Sequence, residues 1–175
     1  MHKTPKHVKL LAYHTYIRPR LEYASVVWSP HQKHLVTKLE RIQRRAARFV
    51  CSRYRRRDSV TDMLNSCNLE SLEIRRRKQK LKTLFRIIQG IFKIPKDEYI
   101  RLPGKRSTRL NHDAPIEPFS ARTDIFRWSF FPDAIEQWNS LPQHVINSTD
   151  VQTFDREIDA CFGNGLSTAH FVFLC

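Results

Sequence analysis

Apolar residues in the first half of the chain recur at the three- and four-residue spacing of a helix face. Leu35, Leu39, Ile42, Ala46 and Phe49 fall within one arc when successive residues are set roughly 100° apart. Lys38, Arg41, Arg44, Arg45 and Arg48 gather on the opposite side. Residues 35–53 therefore predict a helix with a core stripe and a cationic stripe, leaving the core at Arg53. A second strong helix is predicted over residues 70–92. Ile74, Leu81, Leu84, Phe85, Ile88 and Phe92 share one of its faces, and Arg75, Lys78, Lys82 and Arg86 share another.

The remaining elements are shorter. Residues 7–18 predict a helix with Val8, Leu11, Ala12, Thr15 and Tyr16 near one face. Pro19 disfavours helix at Arg18 and is expected to kink or end it. The run LEYASVVW that follows reads as helix or buried strand, because periodicity alone does not separate the two. Asp58-Ser59 supplies an N-cap for a short helix across VTDMLNSC. Pro95, Pro103, Gly104, Pro115 and Pro118 mark residues 95–124 as loops with room for one or two short strands. Phe126–Phe131 predicts a strand running into a helix opened at Pro132, where the missing N–H costs no hydrogen bond. Asp150 caps a last helix carrying Val151, Phe154, Ile158, Ala160 and Phe162. No internal repeat or low-complexity tract is present. The fold class expected is mainly α: a basic helical module over 1–93, loops over 94–124, a small C-terminal module over 125–162 and a loose tail over 163–175.

Charge sharpens this division. The 175 residues carry a formal net charge of +14 and a pI near 10.1, which favours a polyanionic partner. Residues 1–93 hold 23 Lys and Arg against 6 Asp and Glu, a net of +17, whereas residues 94–175 hold 8 against 11, a net of −3. The cations are concentrated, and two functional segments are implied.

Several classes of function drop out. Four glycines, with no P-loop or dinucleotide fingerprint, argue against a nucleotide-binding loop. No apolar run approaches the roughly 20 residues of a membrane span, so no membrane partner is expected, and the N-terminal segment lacks the features of a signal peptide. Cys51, Cys67, Cys161 and Cys175 show no CxxC spacing, and reduced thiols in an intracellular protein of nucleus or cytoplasm are expected. The eight histidines are scattered. His31 and His34 form the one close pair and lack further ligands at zinc spacing. No catalytic residue, metal site or cofactor is assigned. Trp28, Trp128 and Trp138 each lie among apolar residues, and core packing is expected of them over base stacking.

The cations themselves point to phosphate. Two helices segregate them, Arg55, Arg56 and Arg57 bridge the two, and acidic partners at i,i+4 are mostly missing. Guanidinium suits bidentate phosphate contact better than ammonium. The candidate nucleic-acid-binding set is Lys38, Arg41, Arg44, Arg45, Arg48, Arg55, Arg56, Arg57, Arg75, Lys78, Lys82 and Arg86. No groove-reading motif accompanies them, so contact with the backbone of RNA, DNA or an RNA–DNA hybrid is the expected mode.

Residues 13–50, YHTYIRPRLEYASVVWSPHQKHLVTKLERIQRRAARFV, resemble the segment just after the polymerase core in reverse transcriptases of non-long-terminal-repeat retrotransposons, jockey-like elements especially. Those proteins show an "IRPxLEYAsxxWsP" run and then a helix of "LExxQRxAxRF" type. The matching residues are Ile17, Arg18, Pro19, Leu21, Glu22, Tyr23, Ala24, Trp28, Pro30, Leu39, Glu40, Gln43, Arg44, Ala46, Arg48 and Phe49. The family's later "RTxxxxxSFFPRxIxxWNxLP" signature is similar to Arg122, Thr123, Ser129, Phe130, Phe131, Pro132, Ile135, Trp138, Asn139, Leu141 and Pro142. Asp133 stands where the family often has a basic residue, which puts any anion contact there in doubt.

The resemblance implies a thumb-like segment of an RNA-directed DNA polymerase, C-terminal to a catalytic palm. Such a segment holds primer–template by its backbone while the palm does the chemistry. The family's YADD-type aspartates do not occur in this chain, so it is expected to be inactive alone, with a palm domain as a partner. Two other readings remain open at this level. One is a non-functional relic of a truncated retroelement. The other is a host-adopted protein-interaction module using Tyr13, Tyr16, Tyr23 and Trp28.

Overall fold

The computed structural model describes residues 4–101 and 113–163, and every regular element among them is helical. The mainly α expectation holds. The chain divides into two compact units, Met1–Arg76 and Arg77–Cys175. The division falls inside a helix, whereas the composition changes near residue 93.

The first unit begins with α1 (Lys6–Ala12), a π-helical turn over Tyr13–Ile17 and α2 (Arg18–Glu22). Pro19 was expected to interrupt the helix at Arg18. It sits instead in the first turn of α2, where a missing N–H is tolerated. The wider turn lies immediately before it, a common adjustment where the regular hydrogen-bond ladder cannot continue. LEYASVVW resolves as helix on both sides of Ala24, which adopts a left-handed conformation with φ 48°. α3 (Ser25–Trp28) follows, and the Trp28 indole N–H donates back to the Tyr23 carbonyl.

α4 (Lys33–Cys51) is the longest element of this unit and ends on Ser52 in the left-handed region. α5 (Val60–Ser66) starts where the sequence indicated, with the Ser59 hydroxyl accepting from the Asp62 N–H at 3.3 Å. Tyr13, Ala47, Val50, Met63, Cys67 and Leu69 form the core between α1, α4 and α5. The buried side of α4 is not the predicted stripe. Gln43, Ala47 and Val50 are buried, while Ile42 and Phe49 are exposed. The helix is turned by about one residue position, roughly 100°, relative to the apolar pattern.

α6 (Leu72–Ile88) runs across the division between the units. Its start is organised by α4: Glu40 Oε1 accepts from the Glu73 N–H at 2.9 Å and from the Ser71 hydroxyl at 3.0 Å. A carboxylate on the unpaired N–H groups of a helix start satisfies both hydrogen bonding and the helix dipole.

The second unit continues with α7 (Lys96–Tyr99), α8 (Asp124–Arg127), α9 (Phe130–Asn139), α10 (Gln143–Ile146) and α11 (Val151–Gly163). Phe126–Phe131, expected as a strand, is the end of α8, a two-residue break and the start of α9. Two hydroxyl residues determine this outcome. Thr123 caps α8 by accepting from the Phe126 N–H at 3.3 Å. Ser129 occupies the N-cap position of α9, and its hydroxyl donates to the Phe126 carbonyl at 2.7 Å. No strand occurs among the described residues. Part of the expected loop region lies in residues 102–112, and most of the expected tail lies in residues 164–175; both are outside the described residues.

Phe85, Trp138 and Phe154 stack at the centre of this unit, with Phe85 and Phe154 rings 4.1 Å apart. Asn139 holds the extended chain at Ile116 on both sides: its Oδ1 accepts from the Ile116 N–H at 3.0 Å and its Nδ2 donates to the Ile116 carbonyl at 2.8 Å. The Trp138 indole donates to the Ala114 carbonyl at 3.2 Å. Asp150 caps α11 as expected, accepting from the Thr153 N–H and hydroxyl at 2.8 and 2.7 Å.

Candidate nucleic-acid interface

The cationic stripe of α4 is present as the sequence indicated. Lys38, Arg41, Arg44 and Arg45 are exposed, and no salt bridge engages them among the described residues. The reason lies in Glu40. It is the one acidic residue of α4, and its carboxylate is turned toward the start of α6. No counter-charge on the same helix therefore faces these four side chains. Arg48 is half-buried at the end of the stripe, with its guanidinium 3.5 Å from the Arg55 carbonyl.

Arg55, Arg56 and Arg57 are exposed on the turn after α4. Asp58 shapes that turn: its Oδ2 accepts from the Arg55 N–H at 2.9 Å, and its own N–H donates to the Arg55 carbonyl at 3.1 Å. The sequence assigned Asp58 with Ser59 to capping α5. Ser59 performs the capping, and Asp58 instead fixes the arginine turn, as a side chain accepting from a nearby backbone N–H commonly does.

The cations of α6 differ from those of α4, and this corrects the sequence reading of a second free stripe. The Arg75 guanidinium makes a two-pronged ion pair with Glu22, and this contact holds it above its ordinary range against the opposing effect of burial. In the second unit, Lys78 and Lys82 share Asp159 at 3.3 and 2.9 Å, and Arg86 pairs with Asp155 at 2.6 Å. Lys80, which the sequence reading did not single out, forms a largely buried pair with Asp133. Burial alone would raise the Asp159 carboxyl; Lys82 and Lys78 outweigh it and hold the group below the usual carboxylate range. Asp133, Asp155 and Asp159 are intramolecular counter-charges of α6.

Among the tryptophans, Trp138 is buried as expected, whereas Trp28 and Trp128 are about two-fifths exposed, and Trp128 lies against Arg127. Tyr13, one of the four aromatic residues named for a protein-interaction module, is buried. Tyr16, Tyr23 and Val27 are 72%, 81% and 82% exposed. His31 and His34 are exposed, and no group of three or more metal-ligating side chains occurs among the described residues.

Residues that sequence reasoning did not use for function carry much of the architecture. Glu22, Glu40 and Gln43 in the first motif, and Thr123, Ser129, Trp138 and Asn139 in the second, each make a tertiary or capping hydrogen bond. The signal available was polar residues at fixed places within apolar runs. Compared with known proteins, the chain matches no family model, no curated protein and no solved structure.

Proposed function

We propose that the chain binds the backbone of nucleic acid without reading base sequence, through Lys38, Arg41, Arg44 and Arg45 of α4 together with Arg55, Arg56 and Arg57. The observation that carries this is the contrast between two basic helices. Arg75, Lys78, Lys80, Lys82 and Arg86 of α6 pair with intramolecular carboxylates, while Lys38, Arg41, Arg44 and Arg45 of α4 are exposed with no salt bridge among the described residues. A face left in that state supplies cations to a phosphate chain by displacing condensed counterions. The retrotransposon resemblance supports a hybrid duplex as the substrate form and a separate catalytic domain as the working partner. It rests on the motif residues quoted above.

The test is affinity for an RNA–DNA hybrid measured from about 50 to about 200 mM salt, a range over which phosphate contacts weaken steeply. Replacing Arg41, Arg44 and Arg45 together with Gln keeps helix propensity nearly constant. The slope of log affinity against log salt is expected to fall by about two to three units, because each duplex phosphate contact contributes about 0.9. Circular dichroism should be unchanged. An unchanged slope in the folded variant overturns the proposal.

A second reading has its own observation. Tyr16, Tyr23 and Val27 expose much of their apolar surface, which supports a protein partner for the α1–α3 region. Exposed aromatic residues of this kind are enriched where proteins associate. Concentration-dependent self-association that is lost on replacing Tyr23 and Val27 with Ser would locate that surface.

A further inference from the structure

Cys51 is the last residue of α4, and Cys67 is the C-cap of α5. Their sulfur atoms lie 3.6 Å apart, and both thiols are free. The Ser66 hydroxyl sits 3.7 Å from Cys51 Sγ and 3.9 Å from Cys67 Sγ. Lys6 Nζ in turn donates to the Ser66 carbonyl at 2.9 Å and to its hydroxyl at 3.3 Å. A disulfide needs a separation of about 2.05 Å, so the sulfurs must close about 1.6 Å, shared between two side chains. Residues Ser52 and Asn68, directly after the two cysteines, both adopt the left-handed conformation. Each helix therefore ends at its cysteine.

We propose that Cys51 and Cys67 form a peroxide-responsive thiol pair whose oxidation closes residues 52–66, with Arg55, Arg56 and Arg57, into a covalent loop. Cys51 is half-buried and meets the oxidant first. Burial pushes the Cys67 thiol up, with the contact from Cys51 adding to it, which suits Cys67 to the second step. The Cys51 thiolate attacks hydrogen peroxide, breaking the O–O bond to give a sulfenic acid and water. Cys67 sulfur then attacks the Cys51 sulfur, and the hydroxyl leaves as a second water with the Cys67 proton. Two thiols lose two electrons, and one peroxide is reduced to two waters. This inference is independent of nucleic-acid binding.

The experiment treats the reduced full-length chain with hydrogen peroxide, blocks remaining thiols and maps tryptic peptides without reductant. The expected product is a linkage between the peptides spanning residues 49–53 and 58–75, in monomeric protein, with Cys161 still open to alkylation. The linkage should be reversed by dithiothreitol. Closing a loop of this length should raise the folding equilibrium constant on the order of a hundredfold, read from the urea midpoint. In Cys67→Ser protein the Cys51 sulfenic acid should persist and be trapped by dimedone. Linkage chiefly to Cys161 or Cys175, disulfides between chains, or no linkage in the intact protein each overturns the proposal.

Discussion

The Tyr13 hydroxyl donates to Gln43 Oε1 at 2.8 Å, and Gln43 Nε2 donates onward to the Glu70 carbonyl at 2.9 Å. One polar side chain of α4 thus holds two other segments of its unit from a fully buried position. Gln43→Ala strands the Tyr13 hydroxyl and the Glu70 carbonyl, and should cost about 1–3 kcal/mol for each group left unsatisfied. Tyr13→Phe alone should cost less. Adding it to Gln43→Ala should recover part of the loss, because the stranded donor is gone. Urea denaturation of the two single variants and the double variant measures that coupling.

The same tyrosine makes alkaline stability asymmetric. Burial pushes the Tyr13 hydroxyl up from 10.0 to about 12, with Glu22 adding to the effect. The folded state holds this proton more tightly than the unfolded chain. Its contribution is therefore complete below about pH 10 and is lost as pH rises toward about 12. Ultraviolet titration of tyrosinate should show one late-ionising tyrosine in wild type that is missing in Tyr13→Phe. The variant's melting temperature should fall less steeply across that window.

The paired cations of α6 should respond unlike the stripe of α4. Arg86→Gln removes the partner of Asp155, whose other carboxylate oxygen is already buried without a hydrogen bond. A stability loss of about 1.5–3 kcal/mol is expected, with little change in the salt slope of nucleic-acid binding. A fall in that slope equal to that of an α4 substitution would show that Arg86 leaves Asp155 for phosphate.

Arg76 is the reverse case. It is buried, and none of its three guanidinium nitrogens has a hydrogen-bond partner among the described residues. Burial lowers its proton affinity more than Glu40, Glu73 and Glu22 raise it. A buried cation in this state opposes folding. Arg76→Met, similar in length and apolar, should stabilise the chain by about 1–4 kcal/mol in denaturant unfolding. A loss of stability would show that the guanidinium is satisfied in solution.

Helix content and the α4 cationic face were legible from periodicity alone, because charged side chains on a solvent face follow the 3.6-residue repeat without tertiary help. The buried face of α4 was not. A hydrophobic pattern has no means of marking Gln43 as interior, since its burial depends on Tyr13 and Glu70, both distant in sequence. It equally counts Ile42 and Phe49 as interior, although the core on the neighbouring face is filled by Ala47, Val50 and Tyr13. Phe126–Phe131 reads as strand by composition, and only the Thr123 hydroxyl capping α8 and the Ser129 hydroxyl donating back to the Phe126 carbonyl mark the break between two helices. The fate of the α6 cations was hidden for a similar reason: Asp155 and Asp159 lie some seventy residues away, and no local rule pairs them.

The acidic face of α11 gives the second unit a built-in rival for polyanions. Asp155 and Asp159 already occupy Arg86, Lys78 and Lys82, and because they are tethered to the same chain their effective concentration does not fall on dilution. A free phosphate chain would have to outcompete them at each of these cations, whereas no salt bridge engages Lys38, Arg41, Arg44 or Arg45 of α4 among the described residues. Under the proposed function, binding is thereby expected at α4 and the arginine turn after it, and not at α6, although the two helices look alike in composition. The acidic C-terminal half, which lowers the chain's total charge, thus also decides which of the chain's cations are already paired.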